Sequence, residues 1–497
     1  MDGHDKYQRY TSDTKSGWGI MNYSLFMPEF VITVIAFGVL AIDLFLPRDR
    51  KDYIPYVNIS GLLVVLAISI IYLWGKDTNL YQGLFFVDHF SVFFKLFFLI
   101  LGCLIILCSI EYVRKHISSS GEYYGILTIS ILGMMLMAAS GELLTAYISL
   151  ELLSFSLYVM VSLGKDSPKS SEASIKYILL GAFSSAIILF GISQIYGTLG
   201  TTRFTEINDI LQATQGALNP VLLLGISLLI AGIGFKVAAV PFHMWAPDVY
   251  EGAPTPVTAY LAIGSKAAAF ALILRLFSQA FMPVIDQWQI IFIILAAATM
   301  TLGNLVALAQ KNIKRLLAYS SIGQVGYLLM GVAALSPLAS DGIILHLAGY
   351  GITNLTAFLC IIILYNATGK DNIEDYAGLA TKSPLLAMSM AIALFSLAGL
   401  PFFAGFTTKF YLFTAVASEG LLWLVGLAMI NSLVSLYYYL IVIKQMYIER
   451  SPDTSPIQVS RIGTTVLGTC LMLIIAIGVY PAPLVEIIQM ATLSILP

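Results

Sequence analysis

Unbroken apolar runs of about 20 residues, the length a helix needs to cross a bilayer, recur from one end of this chain to the other. They are continuous and rich in Leu, Ile, Ala and Gly, whereas membrane barrels are built from short alternating segments. Of the 497 residues 58% are hydrophobic and 11% charged, against roughly 25% charged in a soluble protein. The expectation is an all-α integral membrane protein embedded in a lipid bilayer. Cys103, Cys108, Cys360 and Cys470 all lie in apolar runs, with no C-x-x-C pair. An Fe–S or zinc site normally needs clustered thiolates, so inert buried thiols and no metal are expected. No Walker loop or G-x-G-x-x-G follows a strand, so no nucleotide domain is visible. The net charge of −2 says little about partners, and no nucleic acid is expected among them.

Run length gives about fourteen spans, near residues 24–46, 54–75, 86–110, 124–140, 143–163, 174–197, 220–246, 254–281, 288–309, 315–336, 340–366, 383–416, 420–447 and 462–484. Residues 1–19 are polar and lack the basic start and apolar core of a cleavable signal. Lys and Arg collect in loops on the cytoplasmic side. Here the loops after odd-numbered spans carry clusters such as Arg48, Arg50 and Lys51, or Lys311, Lys314 and Arg315, while those after even-numbered spans hold only Lys76 and Arg203. Both termini are therefore expected on the non-cytoplasmic side, although Lys6, Arg9 and Lys15 in the tail dissent.

Charges inside spans are costly enough that function is the default reading. Lys95, Arg275, Asp43 and Asp88 lie near expected span ends, and snorkelling to the interface accounts for them. Lys176 has Glu172 four residues before it, which leaves surface pairing and function both open. Glu151, in "AYISLELLSFSLYVM", is mid-span with no basic residue three or four positions away; it must find a partner on another helix, face water or stay protonated. Lys236, Lys266 and Lys409 lie deep in the seventh, eighth and twelfth spans. A static ion-pair core would balance acids and bases, yet one acid faces three lysines. Desolvation favours a neutral amine, which a proton carrier must visit, so these four residues are expected to form a proton relay. His346 stays open between a relay member and a satisfied core histidine, and His243 and Glu142 are secondary candidates.

Two of these lysines sit beside helix breakers. Pro241 follows Lys236, and the twelfth span reads "LFSLAGLPFFAGFTTKFYLF", with Gly399, Pro401 and Gly405 before Lys409. Its run is longer than one straight crossing needs, so a break fits. Interrupted spans at matching places in two halves point to a transport site. Five spans separate the two breaks, an odd offset that makes the broken helices antiparallel. The expected architecture is two inverted five-helix repeats, spans 4–8 and 9–13. This divides the chain into a polar tail (1–23), spans 1–3 (24–120), a first repeat (121–285), a second repeat (286–450) and a C-terminal span (451–497).

The stretches "ISLELLSFSLYVM", "SEASIKYILLGAFSSAIILFGISQIYG", "GFKVAAVPFHMWAPDVYEGAPTPVTAYLAIGSKAAAF", "NIKRLLAYSSIGQVGYLLMG" and "LAGLPFFAGFTTKFYLF" closely resemble the antiporter-like membrane subunits of respiratory complex I. That resemblance implies a proton-translocating subunit of an NADH:quinone oxidoreductase in a bacterial cytoplasmic membrane. It implies that Glu151 and Lys236 form a pair that changes protonation together, that Lys266 passes the proton along a central axis, and that Lys409 leads to the exit. The family's middle subunit carries an acid at this last position and its distal subunit a long lateral helix, so the lysine and the chain end just after span fourteen set this sequence apart from both. The implied partners are other membrane-arm subunits, including neighbouring antiporter-like ones. NADH, FMN, Fe–S clusters and quinone belong to partner subunits, with no cofactor in this chain. A subunit of a multisubunit cation/proton antiporter, or of a hydrogenase- or ferredoxin-linked relative of complex I, would share the same lysines. From another class, a stand-alone solute transporter or a membrane scaffold is the weaker reading.

Overall fold

The computed structural model describes residues 23–165, 167–214, 219–451 and 455–496; the expected tail before Tyr23 lies outside them. Thirteen helices among the described residues are long and apolar enough to cross a membrane. Where the twelfth span was expected there are instead two helices of 15 residues, Pro384–Ala398 and Ala404–Ser418. Helix starts follow local chemistry. Pro168, Pro220, Pro337 and Pro384 occupy first-turn positions, where the missing N–H costs nothing. Asn312 accepts from the backbone N–H groups of Lys314 and Arg315.

Lipid exposure separates two classes of helix. The first two spans are one-third buried, whereas Ile313–Ala333 and Pro337–Thr368 are 94% buried and Thr255–Gln279 entirely so. Those three, the tenth, eleventh and eighth spans, form the axis around which the others pack. Within the eighth, Leu261–Ser265 is a π turn that ends directly at Lys266. Such turns are rare and concentrate at functional positions.

Both expected breaks are present. The seventh span, Pro220–Val237, stops four residues before Pro241, whose ring would clash with the Val237 carbonyl and which has no N–H to donate. Ala238 turns left-handed there, at φ 61°. The chain resumes as the short helix Trp245–Gly252, so the straight seventh span is shorter than the sequence indicated. The Trp245 indole closes the gap by donating to the Phe235 carbonyl at 2.9 Å. The twelfth span breaks after Ala398, with Gly399 at φ 89°.

Snorkelling does not describe the charges near span ends. Lys95 and Glu29 are 1% and 2% exposed and pair at 2.6 Å between the third and first spans, through charge and not an aligned hydrogen bond. Arg275 is fully buried and grips Asp88 at 2.7 and 2.8 Å while its Nε donates to the Ala138 carbonyl. Its guanidinium also lies over the Phe86 and Phe90 rings. Asp43, the least buried of the set, pairs with Lys51 at 2.8 Å. Sequence distance from a span end measures depth but not which helix stands alongside, and here a partner was alongside.

The loops hold more structure than a count of spans suggests. Thr78–Leu80 and Phe85–Val87 form an antiparallel hairpin, and Phe204–Ala213 and Ala482–Thr492 are extra short helices. At the opposite end of the bundle the basic loops interlock. Lys176 meets both Glu172 and Asp248 at 2.7 Å, Arg315 meets Asp248 at 2.7 Å and Glu251 at 3.3 Å, Lys169 meets Glu251 at 2.9 Å and Lys314 meets Asp371 at 3.3 Å. The Lys176 alternatives thus resolve towards pairing, with a second acid the spacing did not reveal.

Candidate functional site

Glu151 and Lys236 come together across two helices. Glu151 lies midway along Leu143–Val161, and Lys236 occupies the last turn of Pro220–Val237. Lys236 Nζ stands 3.5 Å from Glu151 Oε1, with the side chains 10% and 13% exposed. Ser185 sits between them: its hydroxyl donates to Glu151 at 2.5 Å and accepts from Lys236 at 3.3 Å. Lys236 also donates to the Ser154 hydroxyl at 2.9 Å and lies near the Tyr158 ring. The carboxylate that lacked a partner on its own helix has one on the broken helix.

Lys266 and Lys409 have no carboxylate partner among the described residues. Lys266 donates to the Ser321 hydroxyl, which is shared with Tyr350 at 2.5 Å, and the ammonium faces the Tyr250 ring. Lys409, one turn into Ala404–Ser418, reaches back over the break. It donates to the Leu397 carbonyl at 2.8 Å, the Ala398 carbonyl at 3.3 Å and the Ser432 hydroxyl at 3.1 Å. Leu397 is the residue whose carbonyl Pro401 displaces from the helical ladder, and a cation is well placed at this negative helix end. The break and the lysine are therefore one device.

His346 has both ring nitrogens engaged, Nδ1 with Thr408 at 3.0 Å and Nε2 with Gln324 at 3.2 Å. It is satisfied in the way a core histidine is, and its partners also stand beside Lys409: Thr408 precedes it, and Gln324 Nε2 donates to the same Leu397 carbonyl at 3.3 Å. Sequence reasoning missed the tenth span that links these places. Ser321 touches Lys266, while Gln324 touches His346 and shares an acceptor with Lys409. The signal was available in "AYSSIGQVGY", five polar side chains on a helix with almost no lipid face to keep apolar. Glu142 lies apart, accepting from Thr202 at 2.5 Å in the hairpin region. Outside the spans, His243 is held below its ordinary titration range by burial, and its Nδ1 has no partner. Among the described residues no group of His, Cys, Asp and Glu is placed to hold a metal ion.

The family model described as "NADH:quinone oxidoreductase/Mrp antiporter, TM" matches residues 140–435, a stretch that holds all four relay candidates. The chain belongs to this family. Among its relatives, NADH-quinone oxidoreductase subunit N of Moorella thermoacetica is 44% identical over 93% of this chain and 97% of its own. The protein of that name from Desulforamulus reducens is 42% identical over 96% and 99%. A chain of respiratory complex I from Thermus thermophilus with bound aureothin superposes with a TM-score of 0.77 at 30% identity, over 93% of this chain and 99% of that one. A chain of the Mrp complex from Dietzia sp. DQ12-45-1b superposes with a TM-score of 0.85 at 20% identity, over 96% and 98%, and shares the fold. The family match takes in the fifth to twelfth spans, both breaks included.

Proposed function

We propose that the chain is the N-type membrane-arm subunit of a proton-translocating NADH:quinone oxidoreductase. It moves protons through Glu151, Lys236, Lys266 and Lys409, driven by quinone reduction in partner subunits that hold NADH, FMN, Fe–S clusters and quinone. The observation that carries this reading is the Glu151–Lys236 pair at 3.5 Å, placed where the seventh span breaks. At an effective dielectric of about 20, opposite charges at that distance attract by about 5 kcal/mol. Pulling the pair apart weakens Lys236's hold on its proton, and the next buried amine, Lys266, has neutral partners only. Lys409 then receives the proton, with Gln324 and His346 between the two lysines. Spans 4–8 and 9–13 act as inverted repeats, each with one broken helix and its lysine. The basic loops face the cytoplasm of a bacterial cell and the termini the other side.

Glu151→Gln and Lys236→Met, each in the assembled complex, test the reading. Proton pumping and coupled quinone reduction are expected to fall while the complex assembles. Unchanged pumping in both variants would overturn the relay. A second reading, a subunit of a multisubunit cation/proton antiporter, draws on the fold shared with the Mrp chain. Co-purified partner subunits separate the two.

A further inference from the structure

Three helices carry a set of buried polar side chains that, Gln324 apart, the relay above leaves unused. On the tenth span Ser320, Gln324 and Tyr327 lie along one face, at 2%, 3% and 1% exposure. Tyr438 and Tyr439 on Leu422–Tyr447 and Asn304 on Ile285–Ala307 are equally buried. The Tyr439 and Ser320 hydroxyls meet at 2.5 Å, and Tyr439 also engages Gln324. Tyr438 donates to Asn304 at 2.9 Å, Asn304 donates to the Tyr327 hydroxyl at 3.3 Å, and the Tyr327 ring lies 5.1 Å from the Lys409 ammonium.

Both strands of this network run one way. One ends at Gln324, whose amide donates to the Leu397 carbonyl that Lys409 also holds; the other ends at the ring under Lys409. Their far ends, Ser320, Asn304 and the tyrosine pair, lie towards the end of the bundle that carries Lys311, Lys314 and Arg315. There a cleft of about 720 Å³, lined by Gln310, Lys311, Tyr437, Leu440, Ile441 and Lys444, reaches the helix turn that holds Tyr438 and Tyr439. Burying this many polar groups in a membrane interior is costly unless they serve one another or a pathway.

We propose that this network is a second access route, carrying protons from the basic end of the bundle to Lys409 without passage through Lys236 or Lys266. Hydroxyl groups both donate and accept, so Ser320, Tyr327, Tyr438 and Tyr439 exchange O–H protons, and water carries the proton past the amides of Asn304 and Gln324 and on to the Lys409 amine. Asn304 and Gln324 are positioning residues that orient them. A proton taken up at the cleft leaves the Lys409 amine as an ammonium, and only O–H and N–H bonds change. The proposal rests on the relay reading of Lys409.

The test is the double variant Tyr438→Phe/Tyr439→Phe, with Asn304→Leu beside it, in the intact complex reconstituted into vesicles. Phenylalanine keeps the packing and removes only the hydroxyl. Pumping per quinone reduced is expected to fall on the order of tenfold, less than a fully committed proton-transfer group contributes, because water replaces part of the path. Its pH profile, varied on the basic-loop side alone, is expected to shift, which a structural role would not cause. Yield of intact complex and uncoupled quinone reduction are followed in parallel. Normal pumping with an unmoved profile in all variants, while Lys409→Met abolishes pumping, overturns the route and leaves the relay standing. Normal pumping in Lys409→Met as well overturns the relay reading itself.

Discussion

Lys409 spans the gap in its own helix: its ammonium lies 2.8 Å from the carbonyl of Leu397, on the far side of the break made by Gly399 and Pro401. The same charge that is proposed to carry a proton also ties the two half-helices together, which makes its replacement informative about both roles.

Lys409→Met leaves the Leu397 and Ala398 carbonyls without the lysine as donor. Gln324 Nε2 and the Ser432 hydroxyl still donate to these carbonyls, so what is lost is the charge-assisted bonding, about 1.5–3 kcal/mol, and the thermal midpoint of the purified complex is expected to drop as pumping is lost. Lys409→Gln, which keeps a donor but no charge, is expected to recover part of the midpoint and none of the pumping. Equal midpoints for both variants would show that the donors from Gln324 and Ser432 suffice.

Glu151 and Lys236 are expected to be coupled. Removing one partner of a buried pair costs about 3–5 kcal/mol because the other charge is stranded. At 10–13% exposure the effect falls towards the lower end. Glu151→Gln/Lys236→Met together should therefore be more stable than either alone, yet still unable to pump. A thermal double-mutant cycle that came out additive would contradict the contact.

Arg275 and Asp88 are expected to behave in the opposite way. Their forked contact joins the eighth span to the cap of the third. Arg275→Met should lower the yield of assembled complex through a stranded Asp88, again by about 3–5 kcal/mol. Pumping per surviving complex is expected to stay normal. A loss of pumping in fully assembled complex would move this pair into the relay.

Asp248 sets an acid limit on the basic end of the bundle. Burial works against its charge, but the bonds from Lys176 and Arg315 outweigh it and hold the carboxyl below its ordinary value of 3.8. A lowered folded value means the stabilisation is present above the unfolded value and is lost as pH falls through the folded one. The thermal midpoint of the wild-type complex should therefore fall more steeply below about pH 4 than that of Asp248→Asn. Parallel curves for the two would remove Asp248 from the acid response.

Much of this was legible in the residues. Apolar run length gave the membrane-helix class, and a proline beside a buried lysine marked both breaks, because few other residues end a helix so sharply. The partner of Glu151 was the candidate on the adjoining broken helix. The Glu29–Lys95 and Arg275–Asp88 pairs were not legible as pairs, since their partners lie far apart in sequence and each charge near a span end looked able to reach water. Ser321 and Gln324 went unread for a related cause: small and neutral polar residues carry no charge to stand out in an apolar run, and only the near-complete burial of their helix shows that they must be answered from inside the protein.

The π turn at Leu261–Ser265 carries a constraint of another kind. It holds one residue more than a regular turn, and each helical residue advances the side chains by about 100°. Deleting one residue there would let the turn relax to ordinary helix with its flanks still in register, so Lys266 would keep its bearing towards Ser321 and lose only the widened turn before it. The extra residue therefore acts through the opened backbone beside the lysine and not through the direction in which the lysine points.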